Sequence, residues 1–321
     1  MTGPTLLLNV ARAWDGQDTV VAAEHALASG LDGVGLVDSP RLFPDGWVET
    51  ERVLSGTPAR LAGPCVSSLG LRHPVTVAGA VRTLERHHPG RVLTVVGRGE
   101  SSVRNEGLAV PSMRAYSDSL HRLRDLLAVD DGAGAPGRVL GAASGPRTVA
   151  ATAAALGAVL VDAGAHAEVV SRAVALARRD DPATTVWLFV RAVVTSSEQE
   201  SAAAAEPLIG SCASRLAGSP QWYGIDDTQL DAVRTVAQMH DYRRHGTDDA
   251  RGGAAAEADQ LVRERFVLTG TAAQISARLR PLAGLGIGGV VVAGAMRGVT
   301  ERLPELVEAL RVGLAPDRAP S

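Results

Sequence analysis

The 321-residue sequence is 45% hydrophobic and 21% charged, which is typical of a globular protein with a full core. Its 32 basic residues, all arginine, and 35 acidic residues give a net charge of −3, which excludes the basic surface of a nucleic-acid-binding protein. Two cysteines are too few for a disulfide framework, and the N-terminal apolar run is too short for a signal peptide or membrane helix. We therefore expect a cytoplasmic protein that binds neither nucleic acid nor membrane.

Short apolar runs alternate along the chain with helical patterns, as in β–α–β units that build a parallel sheet. The predicted strands are Thr5–Val10, Gly33–Val37, Arg60–Val66, Arg91–Val96, Arg138–Ala143, Ala158–Val161, Thr185–Val194 and Gly289–Ala293. The predicted helices include Thr19–Ser29, Val75–His87, Arg114–Leu127, Arg147–Leu156, Ala167–Arg178 and Ala272–Leu282. Eight strands are the number of a closed (β/α)8 TIM barrel, whereas open doubly wound sheets more often have about five or six.

Two segments interrupt this alternation. Residues 129–137 are rich in Gly, Ala and Asp and predict a solvated loop. Residues 196–268 contain two helical stretches, 198–216 and 230–240, and are too long for a simple connection. We predict a single barrel domain over residues 1–321, with a helical insertion between strands seven and eight.

A glycine pair follows the fourth predicted strand, in the stretch VVGRGESS. A dinucleotide-binding fingerprint needs a third glycine three positions after Gly99, where this sequence has Ser102. The match is partial, so the glycine pair is weak support for a loop of that type.

Polar residues gather at the predicted strand ends, which form the active face of a (β/α)8 barrel. They are Asp38 and Ser39; Cys65, Ser67 and Ser68; Arg98, Glu100, Ser101 and Ser102; Ser144 and Gly145; Asp162; and Arg191 and Thr195. Two of these ends suit a phosphate. Residues 97–102 carry a guanidinium and hydroxyls, and residues 144–148 begin a helix whose dipole and free N–H groups favour anions. Each segment alone could be a helix cap or a turn; together they predict an anionic ligand.

The segment GLRHPVTVAGAVRTLERHHPGRVLTVVGRGESSVRNEGL resembles the luciferase-like flavin and deazaflavin oxidoreductases. The stretches SGLDGVGLVDSP, AASGPRTVAATAA and FVLTGTAAQISARLRPLAGLGIGGVVVAG resemble the same superfamily, in the same order along the chain. The sequence is most similar to the coenzyme F420-dependent reductases of the methylenetetrahydromethanopterin reductase type. This resemblance implies a (β/α)8 barrel with an insertion, a deazaflavin or flavin cofactor, and a homodimer.

The resemblance also implies cofactor-binding positions. Residues 63–68 match a strand-three bulge that often contains a non-proline cis peptide behind the cofactor ring, and the matching bond is Cys65–Val66. Family members commonly have Gly at the position of Cys65 and Asn-Pro at the position of Ser68-Leu69. The predicted cofactor-binding residues are Cys65, Val66, Ser67, Ser68, Gly97, Arg98, Gly99, Ser101, Ser144, Gly145 and Thr148. The loops after strands four and five would bind its phosphate.

Three residues are candidates for moving the proton that accompanies hydride transfer. They are His73, Asp38 and Glu100, with His73 and Asp38 favoured. A structural role is the alternative for the tripeptide 72–74, in which Arg72 would anchor the loop and Pro74 would start the helix. Trp14 and Trp47, predicted in the loops after strands one and two, are candidates for substrate contact. Histidine spacing predicts no metal site.

We therefore predict a cytoplasmic F420-dependent oxidoreductase that acts on a small organic substrate. One alternative keeps the barrel and replaces F420 by FMN in a monooxygenase. The other is a barrel that has lost catalysis and acts as a binding or structural protein.

Overall fold

Parallel strands joined through helices close into a barrel. The structure, a computed structural model, describes residues 3–11, 18–128, 138–240 and 256–316. Its strands are β1 (Thr5–Val10), β2 (Gly33–Leu36), β3 (Leu61–Ser68), β4 (Leu93–Gly97), β5 (Arg138–Ala143), β6 (Ala158–Val161), β7 (Thr185–Val194), β8 (Val267–Gly270) and β9 (Gly289–Ala293). Strands β1 to β7 pair in chain order and β9 lies between β7 and β1. The predicted (β/α)8 barrel is confirmed, with β9 as its eighth strand.

Helices surround the barrel and form the insertion. Those around the barrel are α1 (Thr19–Ala28), α2 (Gly46–Gly56), α3 (Pro74–His87), α4 (Glu100–Asn105), α5 (Met113–Leu127), α6 (Pro146–Leu156) and α7 (Ala167–Ala177). The insertion after β7 contains α8 (Glu198–Ala205), α9 (Ile209–Gly218), α10 (Pro220–Tyr223), α11 (Asp227–Met239) and α12 (Ala256–Phe266). Helices α13 (Ala272–Leu279) and α14 (Leu303–Gly313) return to the barrel. Within the described ranges, no helix is long and apolar enough to cross a membrane.

The structure contains elements that are absent from the sequence prediction. One is helix α2, which begins after its cap Asp45 and has glycine as its first and last residue. Helix α4 has only six residues and occupies part of a predicted loop. Strand β8 falls at the end of the predicted insertion and pairs with the last four residues of β7. A strand this short has too little pattern to be recognised in sequence.

Alternation along each strand fixes which side chains enter the barrel. Leu7, Leu93, Leu140 and Trp187 pack together inside it, with Leu61, Val95, Leu160 and Val291. Their neighbours in sequence, such as Leu6 and Leu8 on β1, pack against the surrounding helices. This layer fills the barrel, so any ligand site must lie beyond it, where the inward positions nearest the carboxyl ends of the strands form the barrel mouth.

Candidate functional site

The barrel mouth combines apolar and charged side chains. Val66 on β3, Ala142 on β5 and Phe189 on β7 are inward-facing and partly exposed. They give this end of the barrel three partly exposed apolar side chains. Asp162, directly after β6, and Arg191, on β7, add charge at its edge.

Strand β3 is irregular where it enters the mouth. The Cys65–Val66 peptide bond is cis, as the family resemblance implies, and the pairing with β4 shifts register between Cys65 and Ser67. The Cys65 thiol is buried. Burial, followed by the charge of Asp162, raises its pKa, so the thiol is neutral at physiological pH.

Asp38 is the centre of a buried hydrogen-bond network behind the mouth. Both of its carboxylate oxygens accept hydrogen bonds from Arg72, each at 2.8 Å, and one also accepts from Ser67 Oγ at 2.6 Å. Arg72 Nη2 donates to Asp45 at 2.7 Å as well. Although burial opposes it, pairing with the two carboxylates raises the pKa of Arg72. Arg72 therefore anchors this loop.

Trp47 joins the same network. The sequence prediction that it lies in a loop is wrong, because Asp45 caps α2 and places Trp47 in the first turn of that helix. The indole is 8% exposed and donates to Ser67 Oγ at 3.1 Å. The indole is thus held behind β3. Trp14 lies outside the described residues.

His73 and Pro74 begin α3. The exposed imidazole accepts a hydrogen bond from the Val75 N–H at Nδ1, at 3.3 Å, which makes His73 the N-cap. Pro74 is the first residue of the helix, as predicted.

The loop after β4 makes a tight turn into α4. Gly99 has φ of +81°, and a Cβ at this position would lie 1.7 Å from Ser68 Oγ. A Cβ at Gly97 would lie 2.7 Å from Val66 Cγ1. Contacts within the chain thus require both glycines, whether or not a ligand approaches them.

The charged groups of that loop are accessible. The Arg98 side chain is 28% exposed, and its Nη2 lies 3.8 Å from Glu100 Oε1. Glu100 is exposed in the first turn of α4 and also lies 3.5 Å from Arg104. Ser101, the next residue, is partly exposed.

The loop after β5 leads into the longer helix α6. Gly145 N donates to Thr148 Oγ1 at 3.2 Å, and that hydroxyl donates to the Gly145 carbonyl at 2.9 Å. Pro146 has no N–H, so the free donors of the first turn are the N–H groups of Arg147 and Thr148. Because β4 and β5 are neighbouring strands, this turn lies beside the loop after β4, as the sequence predicts.

The insertion is attached to the same edge of the barrel. Tyr223 Oη on α10 donates to the Ser144 carbonyl at 2.5 Å. Arg215 Nη2 on α9 donates to Asp162 at 2.8 Å. The insertion therefore contacts the ends of β5 and β6 directly.

Asp162 is the centre of a buried charge cluster. Arg191 donates to its two oxygens at 2.6 and 3.2 Å, and Arg215 adds the third bond. The guanidinium of Arg191 also lies over the rings of Phe189 and Phe266, at 5.1 and 5.6 Å. Although burial opposes ionisation, the two arginines lower the pKa of Asp162 to about 2. The cluster carries one excess positive charge.

Sequence reasoning noted Asp162 and Arg191 as strand-end residues without giving them a role, and it missed Arg215, Tyr223 and Asn9. Opposite charges at the ends of neighbouring strands were a usable signal for the first pair. A lone polar residue in the apolar run of β1 was a signal for Asn9. In the part of the chain that the structure describes, no group of three or more His, Cys, Asp or Glu side chains could hold a metal ion.

Several solved structures share this architecture. A coenzyme F420-dependent tetrahydromethanopterin reductase from Methanopyrus kandleri is 16% identical, with a TM-score of 0.69 over 95% of this chain and 97% of that chain. An F420-dependent secondary alcohol dehydrogenase, solved with an F420–acetone adduct, is 16% identical, with a TM-score of 0.68 over 97% of this chain and 100% of that one. An EDTA monooxygenase from Chelativorans sp. BNC1 is 14% identical, with a TM-score of 0.59 over 98% and 95%.

This chain has the fold of those enzymes. No protein-family model matches the sequence, and no curated protein matches it. The fold implied by the luciferase-like resemblance is confirmed; a shared fold does not by itself fix the chemistry, which depends on the residues at the barrel mouth.

Proposed function

We propose that this protein is a cytoplasmic F420-dependent oxidoreductase of the luciferase-like superfamily, which transfers hydride between the deazaflavin and a small organic substrate. The observation that carries the proposal is that three inward-facing, partly exposed apolar side chains, Val66, Ala142 and Phe189, lie at the barrel mouth beside cationic and N–H-rich loops. This combination suits a ligand with a flat apolar ring and a phosphate. Two of the similar structures are F420-dependent by their own descriptions, and a third is a monooxygenase, so the similar structures support a deazaflavin or flavin cofactor in general.

The chain offers residues for each part of such a cofactor. Val66 is the exposed part of the β3 bulge and would lie against the ring. Cys65, Ser67 and Ser68, the other residues of the bulge, are fully buried around Val66. When bound, the deazaflavin supplies the hydride chemistry, and the protein orients its reactive face.

Two neighbouring loops would hold the phosphate. Arg98 and Ser101 present a guanidinium and a hydroxyl from the loop after β4. Gly145 and Thr148 shape the first turn of α6, whose free N–H groups point along the helix dipole. Ser144 would line the phosphate site with its backbone. Its carbonyl oxygen already accepts a hydrogen bond from Tyr223 Oη.

Glu100 is the best of the predicted proton carriers. It is exposed in the first turn of α4, whereas both oxygens of Asp38 accept hydrogen bonds from Arg72 and His73 caps a helix. We propose that Glu100 moves the proton and that Asp38 and His73 support the loop after β3.

Titration of the purified protein with F420 and with FMN tests the proposal. Saturable quenching of F420 fluorescence, with no saturable FMN binding, is the expected result. Tight FMN binding with oxygen consumption would instead support the monooxygenase, which the similarity to the EDTA monooxygenase favours. Binding of neither cofactor would support a barrel without redox activity. The family resemblance also implies a homodimer, which light scattering on the same sample would check.

A further inference from the structure

A buried amide without a partner lies inside the barrel mouth. Asn9 on β1 is 7% exposed, and its Oδ1 accepts no hydrogen bond from any described residue. Leu7 packs inside the barrel, while Leu8 and Val10 pack against the outer helices. Asn9 therefore points inward, one step nearer the mouth than Leu7.

The neighbouring strands leave space for this amide without satisfying it. A Cβ at Gly35 on β2 would lie 2.9 Å from Asn9 Oδ1 and 2.8 Å from Cys65 Cβ. The amide and the β3 bulge therefore flank the same point of the wall. Neither Arg191 nor Arg215, the cations at the mouth, donates a hydrogen bond to Asn9 Oδ1; both are bound to Asp162.

The Asn9 amide differs from the other buried groups without a partner because it faces the inside of the barrel. Thr94 Oγ1 is also buried without a partner, but Thr94 lies on β4 between Leu93 and Val95, which pack inside the barrel, so its side chain faces outward. Among the described buried side-chain atoms that lack a partner, Asn9 Oδ1 is the one on the inward face of a barrel strand. A buried amide without a partner destabilises the folded chain, and leucine at this position would remove that cost.

We propose that Asn9 is a cofactor-binding residue whose amide accepts a hydrogen bond from a polar N–H on the edge of the ring that lies against Val66. This inference rests on the proposed function, because it needs a tricyclic cofactor in the barrel mouth. Deazaflavin and flavin rings both carry such N–H groups, so the inference holds for either cofactor.

The substitution Asn9→Leu tests the proposal through two measurements, the Tm of the free protein and the Kd for F420. Only the Kd is expected to become less favourable. Leucine has the same branching and the same number of side-chain heavy atoms and removes the unpartnered amide, so the Tm of the free protein should stay equal or rise. The Kd for F420, measured by fluorescence quenching, should become weaker by about tenfold or more, because the hydrogen bond is lost. Thr94→Val is the matched control: it removes an unpartnered buried hydroxyl on the outward face, so the Kd should be unchanged.

Each outcome decides the proposal. A Kd within about twofold of wild type would overturn it, because the amide would then make no hydrogen bond to the cofactor. A weaker Kd together with a lower Tm would also overturn it, because the amide would then support the fold. If Asn9→Leu does not fold, Asn9→Ser replaces it, with the same loss of affinity expected and an unchanged Kd as the contrary result. If the wild-type protein binds neither F420 nor FMN, the proposed function itself has failed.

Discussion

Arg98 is the residue on which the proposed phosphate site depends most. It stands between two glycines whose positions are fixed by packing, and its guanidinium is accessible, with Glu100 at 3.8 Å. We expect Arg98→Ala to weaken cofactor binding by about 1.5–3 kcal/mol, because a charge-assisted hydrogen bond to the phosphate is lost. Calorimetric titration measures this loss. Arg104→Ala removes the other arginine beside Glu100 and should leave the affinity unchanged; equal effects of both variants would contradict the assignment.

Asp38 should act through stability. Asp38→Asn removes the carboxylate that holds Arg72, and we expect it to lower the free energy of unfolding by about 2 kcal/mol in urea denaturation. Asp45→Asn is the control, since Asp45 is 43% exposed and its bond to Arg72 should contribute less than about 1 kcal/mol. An Asp38→Asn variant with full stability and a lost hydride-transfer rate would instead assign Asp38 to proton transfer.

At the scale of elements, polar contacts attach the insertion to the ends of β5 and β6. Tyr223→Phe removes the hydrogen bond between α10 and the Ser144 carbonyl, at a cost of about 1 kcal/mol. We expect amides of α9 and α10 to exchange faster with deuterium in this variant, while β1 exchanges at the wild-type rate. Unchanged exchange in α9 and α10 would show that apolar packing, including Tyr223 against Phe266, holds the insertion without this bond.

At the scale of the whole molecule, we expect the free energy of unfolding to depend on pH through the ionisation of Asp162. Its pKa is about 2 in the folded protein and about 3.8 when unfolded, so its contribution is fully present above the unfolded value. We expect the free energy of unfolding to fall by about 2 kcal/mol as the pH drops from about 5 to 2. Urea denaturation across this range measures the slope. Asp162→Asn should be less stable at neutral pH and have a flatter slope; an unchanged slope would contradict the assignment.

Much of the barrel can be predicted from local sequence. The apolar runs gave all eight barrel strands, and α3, α5, α6 and α7 lie within one residue of their predicted bounds. These elements are long enough for burial periodicity to appear in the chain itself. Helix α2 could not be found in this way, since the burial of Trp47 depends on its contact with Ser67, 20 residues away.

Some features of the fold and of the candidate site follow from local sequence, and others follow only from the tertiary structure. The sequence by itself determined the eight barrel strands, the glycine turn at Gly99 and the capped start of α6, because strand alternation, positive φ and helix capping are local properties. Only the tertiary structure decided that Asp38 is bound to Arg72, that Asp162 joins Arg191 to Arg215 of the insertion, and that the Asn9 amide has no partner. The arginines that bind Asp38 and Asp162 lie 29 to 53 residues away from them in the chain. Barrel closure and the path of the insertion, which no local pattern encodes, bring these residues together.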